Sequence, residues 1–426
     1  MHRLARLGAS VAGVGALTLL SGCSGGASSA DASPDTITLQ TNWTSGGQES
    51  VPLKAALKKF TAQTGIKVKV LENGDDLNQV YETSLLAGDE ADVLLVGLLE
   101  KQLDWVKNGA VVPVENYVDK WHLKNAIPAD ALQDWKDSDG HLRGLPYAGF
   151  TWPWWYNESL FAKNGIAIPR TTGELVTAAK KLRAAGVGPV AVGGNDWSGQ
   201  KIFLQILESY LSPQEAKKIF ADGGTCSSPE AMKGIKLFTA LRDAGVFVDG
   251  AEGLSADQAT AMYMNGSAAI APIGSWSYLS ADAKVAKSTR LGGLPVPPGG
   301  TYNKPTAYQG STSAGWWISP NGNKKLNSVE KLIRYMYRPE VLNSMVDGGV
   351  VLSTATKLDT SGVKSPLLAK SLTDLPKTVD FPVMPDLYVP ADVANPMYRA
   401  TSVAYTKGND AKKICTAVDQ VYETAK

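Results

Sequence analysis

The chain has 426 residues, 44% of them hydrophobic and 19% charged, and a formal net charge of +1. That length exceeds what one hydrophobic core usually serves, so two lobes are expected. The near-zero charge argues against a nucleic-acid partner held by counterion release. Three His and three Cys, with no Cys-x-x-Cys or His-Glu-x-x-His, leave little material for a metal site, and none is expected. The 11 Trp and 15 Tyr against 8 Phe point instead to half-wet recognition surfaces, where an aromatic body with a polar handle is favoured.

His2, Arg3 and Arg6 make a cationic start and Leu7 to Leu20 an apolar run. Residues 1–22 read as a signal peptide, too short for a spanning helix. Leu20-Ser21-Gly22-Cys23 resembles a lipobox, which implies cleavage before Cys23 and a lipid on its thiol; an ordinary cleaved signal is the alternative. Residues 23–35 are rich in Gly, Ser, Ala and Asp and read as a flexible tether. Cys226 and Cys415 are then even in number in an oxidising compartment, which favours a disulfide; two buried free thiols are the alternative.

From Thr36 the chain alternates strands and helices. Thr36 to Gln40 is β-branched and alternating, and Thr41-Asn42-Trp43 and a polar loop follow it. Leu53, Ala56, Leu57 and Phe60 recur at helical spacing up to Gly65, and Ile66 to Leu71 is the next strand. Leu77, Val80, Tyr81 and Leu85 mark a second helix, and Asp92 to Val96 a buried strand. This order predicts βαβ units and a mainly parallel sheet.

The stretch Asp139 to Glu174 carries an apolar run, Leu145 to Tyr156, that contains Trp152, Trp154 and Trp155. If extended, it puts Phe150, Trp152 and Trp154 on one face and Trp155 on the other. One face would pack into a core and the other could meet a ligand. Thr171 with Glu174 forms a capping box for a helix through Leu175, Ala178, Ala179 and Leu182. Ser212-Pro213-Gln214-Glu215 starts another helix, with proline in the first turn. Val190 to Val192 and Ser267 to Ile273 are strands, the second ending in Gly274-Ser275-Trp276. Pro366 to Pro396 reads as irregular, and Ile414, Val418, Val421 and Tyr422 suggest a final amphipathic helix.

Several of these segments resemble the family 1 extracellular solute-binding proteins, the sugar-capturing components of bacterial ABC importers. The central match is Asp139-Gly140-His141, Gly144-Leu145-Pro146-Tyr147, Tyr156-Asn157-Glu158, Leu160-Phe161, Gly165-Ile166, Pro169, Thr171 and Glu174-Leu175. Gly173 stands where that pattern has Trp. Thr64-Gly65-Ile66, Asp92-Val93, Gly266 with Ala268-Ala269, Gly274-Ser275-Trp276, Gly293 to Pro297 and Gly310-Ser311-Thr312 follow the family's order. The resemblance implies an α/β, two-lobe periplasmic-binding-protein-like fold of class II type, each lobe a mainly parallel sheet flanked by helices. It places lobe 1 at residues 36–148 and 311–338, and lobe 2 at 149–310 and 339–426. It implies capture of a mono- or oligosaccharide in the interlobe cleft and delivery to ABC permease subunits. The expected molecule is a lipid-anchored monomer on the outer face of the membrane, without catalytic residues or cofactor.

A sugar offers apolar C–H patches that stack on aromatic faces and hydroxyls that need directional partners. The expected wall residues are Trp43, Phe150, Trp152, Trp197 and Trp276, the last because the family's Gly-Ser-Trp indole stacks on a sugar ring. Gln48, Glu49, Asp76, Asp196, Gln309 and Gly310 are the expected polar partners, and Trp316 and Trp317 belong to the sheet. For Glu49 and Asp76 the competing role is a charge at a helix N-terminus. An extracellular glycosidase would need two carboxyls flanking one bond, and Asp and Glu are plentiful. The mature chain has no Gly-x-Ser-x-Gly. A receptor for a non-sugar solute is the third reading.

Overall fold

A computed structural model describes residues 36–425, apart from 46, 99 and 138. The expected signal peptide, Cys23 and the tether lie outside the described residues. Among the described residues nine strands follow in chain order: β1 (Thr36–Thr41), β2 (Lys67–Glu72), β3 (Val93–Val96), β4 (Leu145–Trp152), β5 (Trp154–Asn157), β6 (Gly188–Val190), β7 (Ala268–Pro272), β8 (Thr289–Gly292) and β9 (Tyr308–Ile318). They form two sheets, ordered β2-β1-β3-β9-β4 and β6-β7-β5-β8, each flanked by helices.

The first sheet begins as the sequence predicts. β1 pairs parallel with β2 and β3, and helix Ser50–Thr64 crosses between β1 and β2. That helix buries Leu53, Ala56, Leu57 and Phe60 and stops at Gly65, whose left-handed backbone (φ 75°) lets its N–H reach Thr61 O. The expectation of mainly parallel sheets is corrected beyond this point. β9 runs antiparallel to β3 and β4 antiparallel to β9, while in the second sheet β5 is antiparallel to both β7 and β8. The returning strands β9 and β4 set this direction, and strands so far apart in sequence leave no local sign of it.

β4 and β9 leave the first sheet side by side and stay paired to Trp152↔Tyr308, where the second sheet begins. Pro153 interrupts the run, having no N–H to donate to a ladder, and β5 then enters the other sheet. Trp152 and Trp154 therefore end in different sheets rather than on one face. Trp154 and Trp155 are both buried; their indole N–H groups donate to Gln205 Oε1 (3.1 Å) and Ile273 O (2.9 Å).

Each sheet has its own core. The first gathers Ile37, Leu39, Phe60, Val93–Val96, Trp105, Trp135, Trp316 and Trp317; the second gathers Trp155, Tyr156, Ile202–Leu204, Phe238, Ile270, Tyr278 and Val418. Helix Pro339–Asp347, which the expected boundary assigns to lobe 2, buries Val341, Leu342 and Met345 in the first core. The chain passes between cores at Gly348–Leu352, where Gly149 N–H donates to Val351 O. The 366–396 stretch is also more regular than expected, with helices Pro366–Thr373 and Ala391–Tyr405. Pro366 opens its helix, where a missing N–H costs nothing. Cys226 and Cys415 are joined in a disulfide, which ties the last helix, Ala411–Ala425, into the second lobe.

Candidate functional site

Where β4 hands over to β5, the side chains form a series of aromatic rings that runs from dry to wet. Trp152 lies parallel to Tyr308, with ring centroids 6.2 Å apart, and tilts against Trp197 at 5.5 Å. Trp197 meets Trp276 at 5.9 Å, and Phe150 meets Trp276 at 6.3 Å. Phe150 and Trp152 are buried, Trp197 is half-buried, and Trp276 keeps 40% of its surface exposed. Trp276 stands four residues past the end of β7, and its indole folds back over Gly274. A Cβ at Gly274 would run into that ring, so the Gly-Ser-Trp sequence is what lets the indole take this place.

Trp152, Trp197 and Trp276 wall a pocket of about 400 Å³, bounded also by Asp196, Ser198, Ser255, Ala256, Asp257, Thr260 and Gly274. Asp196 caps helix Trp197–Leu207, with Oδ1 accepting from Ser198 N–H (2.9 Å) and Ser198 Oγ (2.7 Å). Its Oδ2 accepts from Ala256 N–H at 2.6 Å, the first residue of helix Ala256–Met264. One carboxylate thus joins the positive ends of two helices at the pocket rim. Three of its roughly four acceptor positions are taken by protein.

Beneath the rings lies a buried polar layer. Tyr308 donates to Glu208 Oε1 at 2.5 Å, and burial pushes the Glu208 carboxyl well above the usual range, against the lowering effect of that hydrogen bond. Gln205 Nε2 donates to Thr306 O while its oxygen receives the Trp154 indole N–H. Lys201 pairs with Asp386 at 2.6 Å, both nearly buried, and its ammonium lies 5.0 Å from the centre of the Trp197 ring. The inner face of Trp197 is thereby held by a cation.

Of the expected site residues, the structure gathers Trp152, Asp196, Trp197 and Trp276 around this pocket, with Phe150 packed behind Trp276. The others lie elsewhere. Trp43 is only 6% exposed and packs in the first core, so the aromatic wall does not include it. Asp76 is exposed just before helix Leu77–Ala87. Glu49 immediately precedes helix Ser50–Thr64, and burial raises its carboxyl pKa. Gln309 is exposed opposite Thr151 on the paired strands. Gly310 faces Phe150, whose ring lies 2.8 Å from where a Cβ would stand, so an aromatic ring fills the space expected for a ligand. Gln48 reaches away from its own turn and bonds backbone groups of residues 275, 279 and 349.

Sequence reasoning misses Ser255, Asp257 and Thr260. Ser255 with Gln258 is a capping box, and that local signal marks a helix start. Its approach to Trp276 is a matter of tertiary structure alone. Glu208 is missed as well, although an acid inside the run Ile202–Leu211 is a visible oddity.

Residues 45–342 match the family profile described as "Bacterial extracellular solute-binding protein". A probable secreted solute-binding lipoprotein from Streptomyces coelicolor is 40% identical in sequence. Its crystal structure aligns with a TM-score of 0.82 over 92% of this chain and 100% of that one. A probable sugar-binding periplasmic protein from Brucella suis is 28% identical over 287 residues, which are 65% of each protein. The match therefore spans just under two thirds of that relative. The maltotriose-binding protein of Thermus thermophilus, bound with maltotriose, shares the fold at 21% identity, with a TM-score of 0.66 over 91% of this chain and 99% of that chain.

Proposed function

Because the chain belongs to the bacterial extracellular solute-binding proteins, we propose that it is the capture component of an ABC importer and binds a mono- or oligosaccharide between its lobes. The observation that carries this reading is the pocket on the second lobe, one wall of the proposed site: Trp152, Trp197 and Trp276 gathered beside Asp196, Ser255, Asp257 and Thr260. Indole faces suit the C–H patches of a pyranose, and the hydroxyl and carboxylate rim suits its hydroxyls. The Trp276 ring, the most exposed of the series, is the stacking platform. Gln309 and Gly310 lie where the lobes pass into each other and act there as hinge rather than contact.

The lobes close on the sugar by hinge motion, a mode for which periplasmic binding proteins are a general example. Closure can be driven only by contacts that differ between the open and closed forms. The closed form is what the permease subunits recognise, and the protein acts as a monomer. Cys23 carries the lipid and residues 24–35 tether the body to the outer face of the membrane. The disulfide between Cys226 and Cys415 supports an oxidising location of this kind. No chemistry is performed on the sugar: Asp196, the carboxylate most firmly held at the rim, is committed to two helix N-termini.

The test is a panel of mono- and oligosaccharides added to the exported protein, read by calorimetry and thermal unfolding. One class of sugar should bind and raise the melting temperature, since saturation at a hundred times Kd adds about 2.7 kcal/mol. The sugar should be recovered intact. A panel without a single stabilising sugar, or a sugar returned cleaved, overturns the reading.

A further inference from the structure

Gln48 lies in the first lobe, in the turn between β1 and helix Ser50–Thr64, yet all three of its side-chain hydrogen bonds reach distant backbone. Its amide nitrogen donates to Ser275 O at 2.9 Å and to Gly349 O at 3.2 Å, and its amide oxygen accepts from Leu279 N–H at 3.1 Å. The nitrogen faces two carbonyls and the oxygen faces one N–H, so only one orientation of the amide satisfies the site. Ser275 and Leu279 bracket Trp276, and Tyr278 between them is rooted in the second core. Gly349 belongs to the crossing segment that links the two cores. Its backbone is left-handed (φ 98°), and Leu279 fills the space where a Cβ would stand, 2.7 Å away. The left-handed backbone favours glycine there, and a Cβ would also displace the end of the exposed Leu279 side chain.

We infer that Gln48 is a positioning residue for the pocket: a first-lobe latch that clamps the Trp276 turn and holds the lobes together. The inference rests on the proposed function only in treating the Trp276 pocket as the ligand site. The amide spends both of its donors on protein, so it has none to offer a sugar. Its effect on binding is indirect. The apparent affinity of a protein scales with the fraction already in the competent form, and the latch raises that fraction.

Two substitutions separate latching from space-filling. Gln48→Ala removes all three bonds. Gln48→Glu keeps the shape and the acceptor for Leu279 N–H, but turns a carboxylate oxygen toward the Ser275 and Gly349 carbonyls, where acceptor meets acceptor. The experiment is small-angle X-ray scattering of the ligand-free, exported protein and both variants, with circular dichroism to verify folding. Both variants should show a larger radius of gyration than the parent, and Gln48→Glu should expand at least as much as Gln48→Ala. Unchanged dimensions in both overturn the latch. So does expansion of Gln48→Ala beside a compact Gln48→Glu, which would assign the residue to packing. If Gln48→Ala does not fold, Gln48→Glu decides alone; if Gln48→Glu does not fold, Gln48→Met, which keeps the volume and drops all three bonds, takes its place and should expand likewise, a compact Gln48→Met overturning the latch. No sugar enters this measurement, so its outcome is independent of the panel that tests the proposed function.

Discussion

Trp155 and Trp276 flank the same short piece of chain and do opposite work. Trp155 donates its indole N–H to Ile273 O, packs edge-on against Tyr263 with centroids 5.6 Å apart, and has no exposed surface. Trp276 stands three residues beyond Ile273, is 40% exposed, and leans on Trp197 and Phe150 at about the same ring spacing. The residue type is identical, and the ring–ring distances are nearly so. What differs is how far each ring is covered and whether one face is left to water. Aromatic abundance in a sequence is thus two populations: rings that hold a lobe together and rings that keep one face in water.

The dry ring should carry the heaviest cost. Trp155→Ala should lose about 3–5 kcal/mol of stability through the cavity it leaves. It also strands the Ile273 carbonyl without the indole donor. Urea denaturation would measure it, and a loss below about 1 kcal/mol would mean that the ring is not an anchor of the lobe. The next effect is the disulfide. Replacing Cys226 and Cys415 together by Ser opens a bridge spanning 189 residues, for which about 2–5 kcal/mol is usual. The lower end is expected, because Asp419 already accepts from Thr225 N–H (2.7 Å) and Cys226 N–H (2.9 Å) and docks the same helix without sulfur. An unchanged denaturation midpoint would show that Asp419 suffices alone.

How much of this is legible in the sequence follows from the range of each interaction. The capping box at Thr171–Glu174 and the proline-led helix start at Ser212 are each set within a few residues, and both are present as the sequence implies. The αL stop at Gly65 is equally local. Strand direction is not legible, because β3 pairs with β9 more than 200 residues later. Trp43 follows a strand in the same way that Trp276 does, and nothing nearby in sequence reveals that one is covered and the other is not. Pro153 is plain as a residue, but its consequence, a change of sheet between Trp152 and Trp154, depends on where β7 and β8 lie. Gln48 stands out in the sequence as a polar group after the first strand. Its partners, 227 and 301 residues away for the two carbonyls, can be found only in three dimensions.

A smaller effect probes the layer between the dry and wet rings. Glu208 is fully buried with a folded-state pKa raised well above its ordinary value, chiefly by desolvation. The unfolded chain ionises near the ordinary carboxylate value of about 4.3. Below that value both states are protonated and the carboxyl costs nothing. As the pH climbs toward the folded pKa, only the unfolded state gives up its proton, and stability declines. Gln at this position cannot ionise and can still accept from Tyr308. The stability of Glu208→Gln relative to the parent should therefore rise as the pH climbs from the ordinary carboxylate range toward the raised folded-state pKa. The gain is about 1.4 kcal/mol for each tenfold fall in proton concentration over which only the unfolded parent is ionised. Parallel pH profiles would mean that Glu208 is solvated, and Trp152 would then rest on a wetter floor than its contacts indicate.

The least disruptive change for stability is at the wet end, and it separates the two kinds of ring most clearly. Trp276→Ala removes a ring whose outer face is already hydrated, while Trp197 and Trp152 remain packed against each other behind it. Its stability should stay within about 0.5 kcal/mol of the parent, as for substitutions away from buried features. Affinity for the sugar identified by calorimetry should fall at least tenfold, about 1.4 kcal/mol. Stability and binding would then part between two tryptophans of one lobe: Trp155→Ala weakens the fold, and Trp276→Ala weakens only the grip. Equal affinity in Trp276→Ala, or a large loss of stability, would return that ring to the packing role of Trp155 and leave Trp197 as the stacking surface.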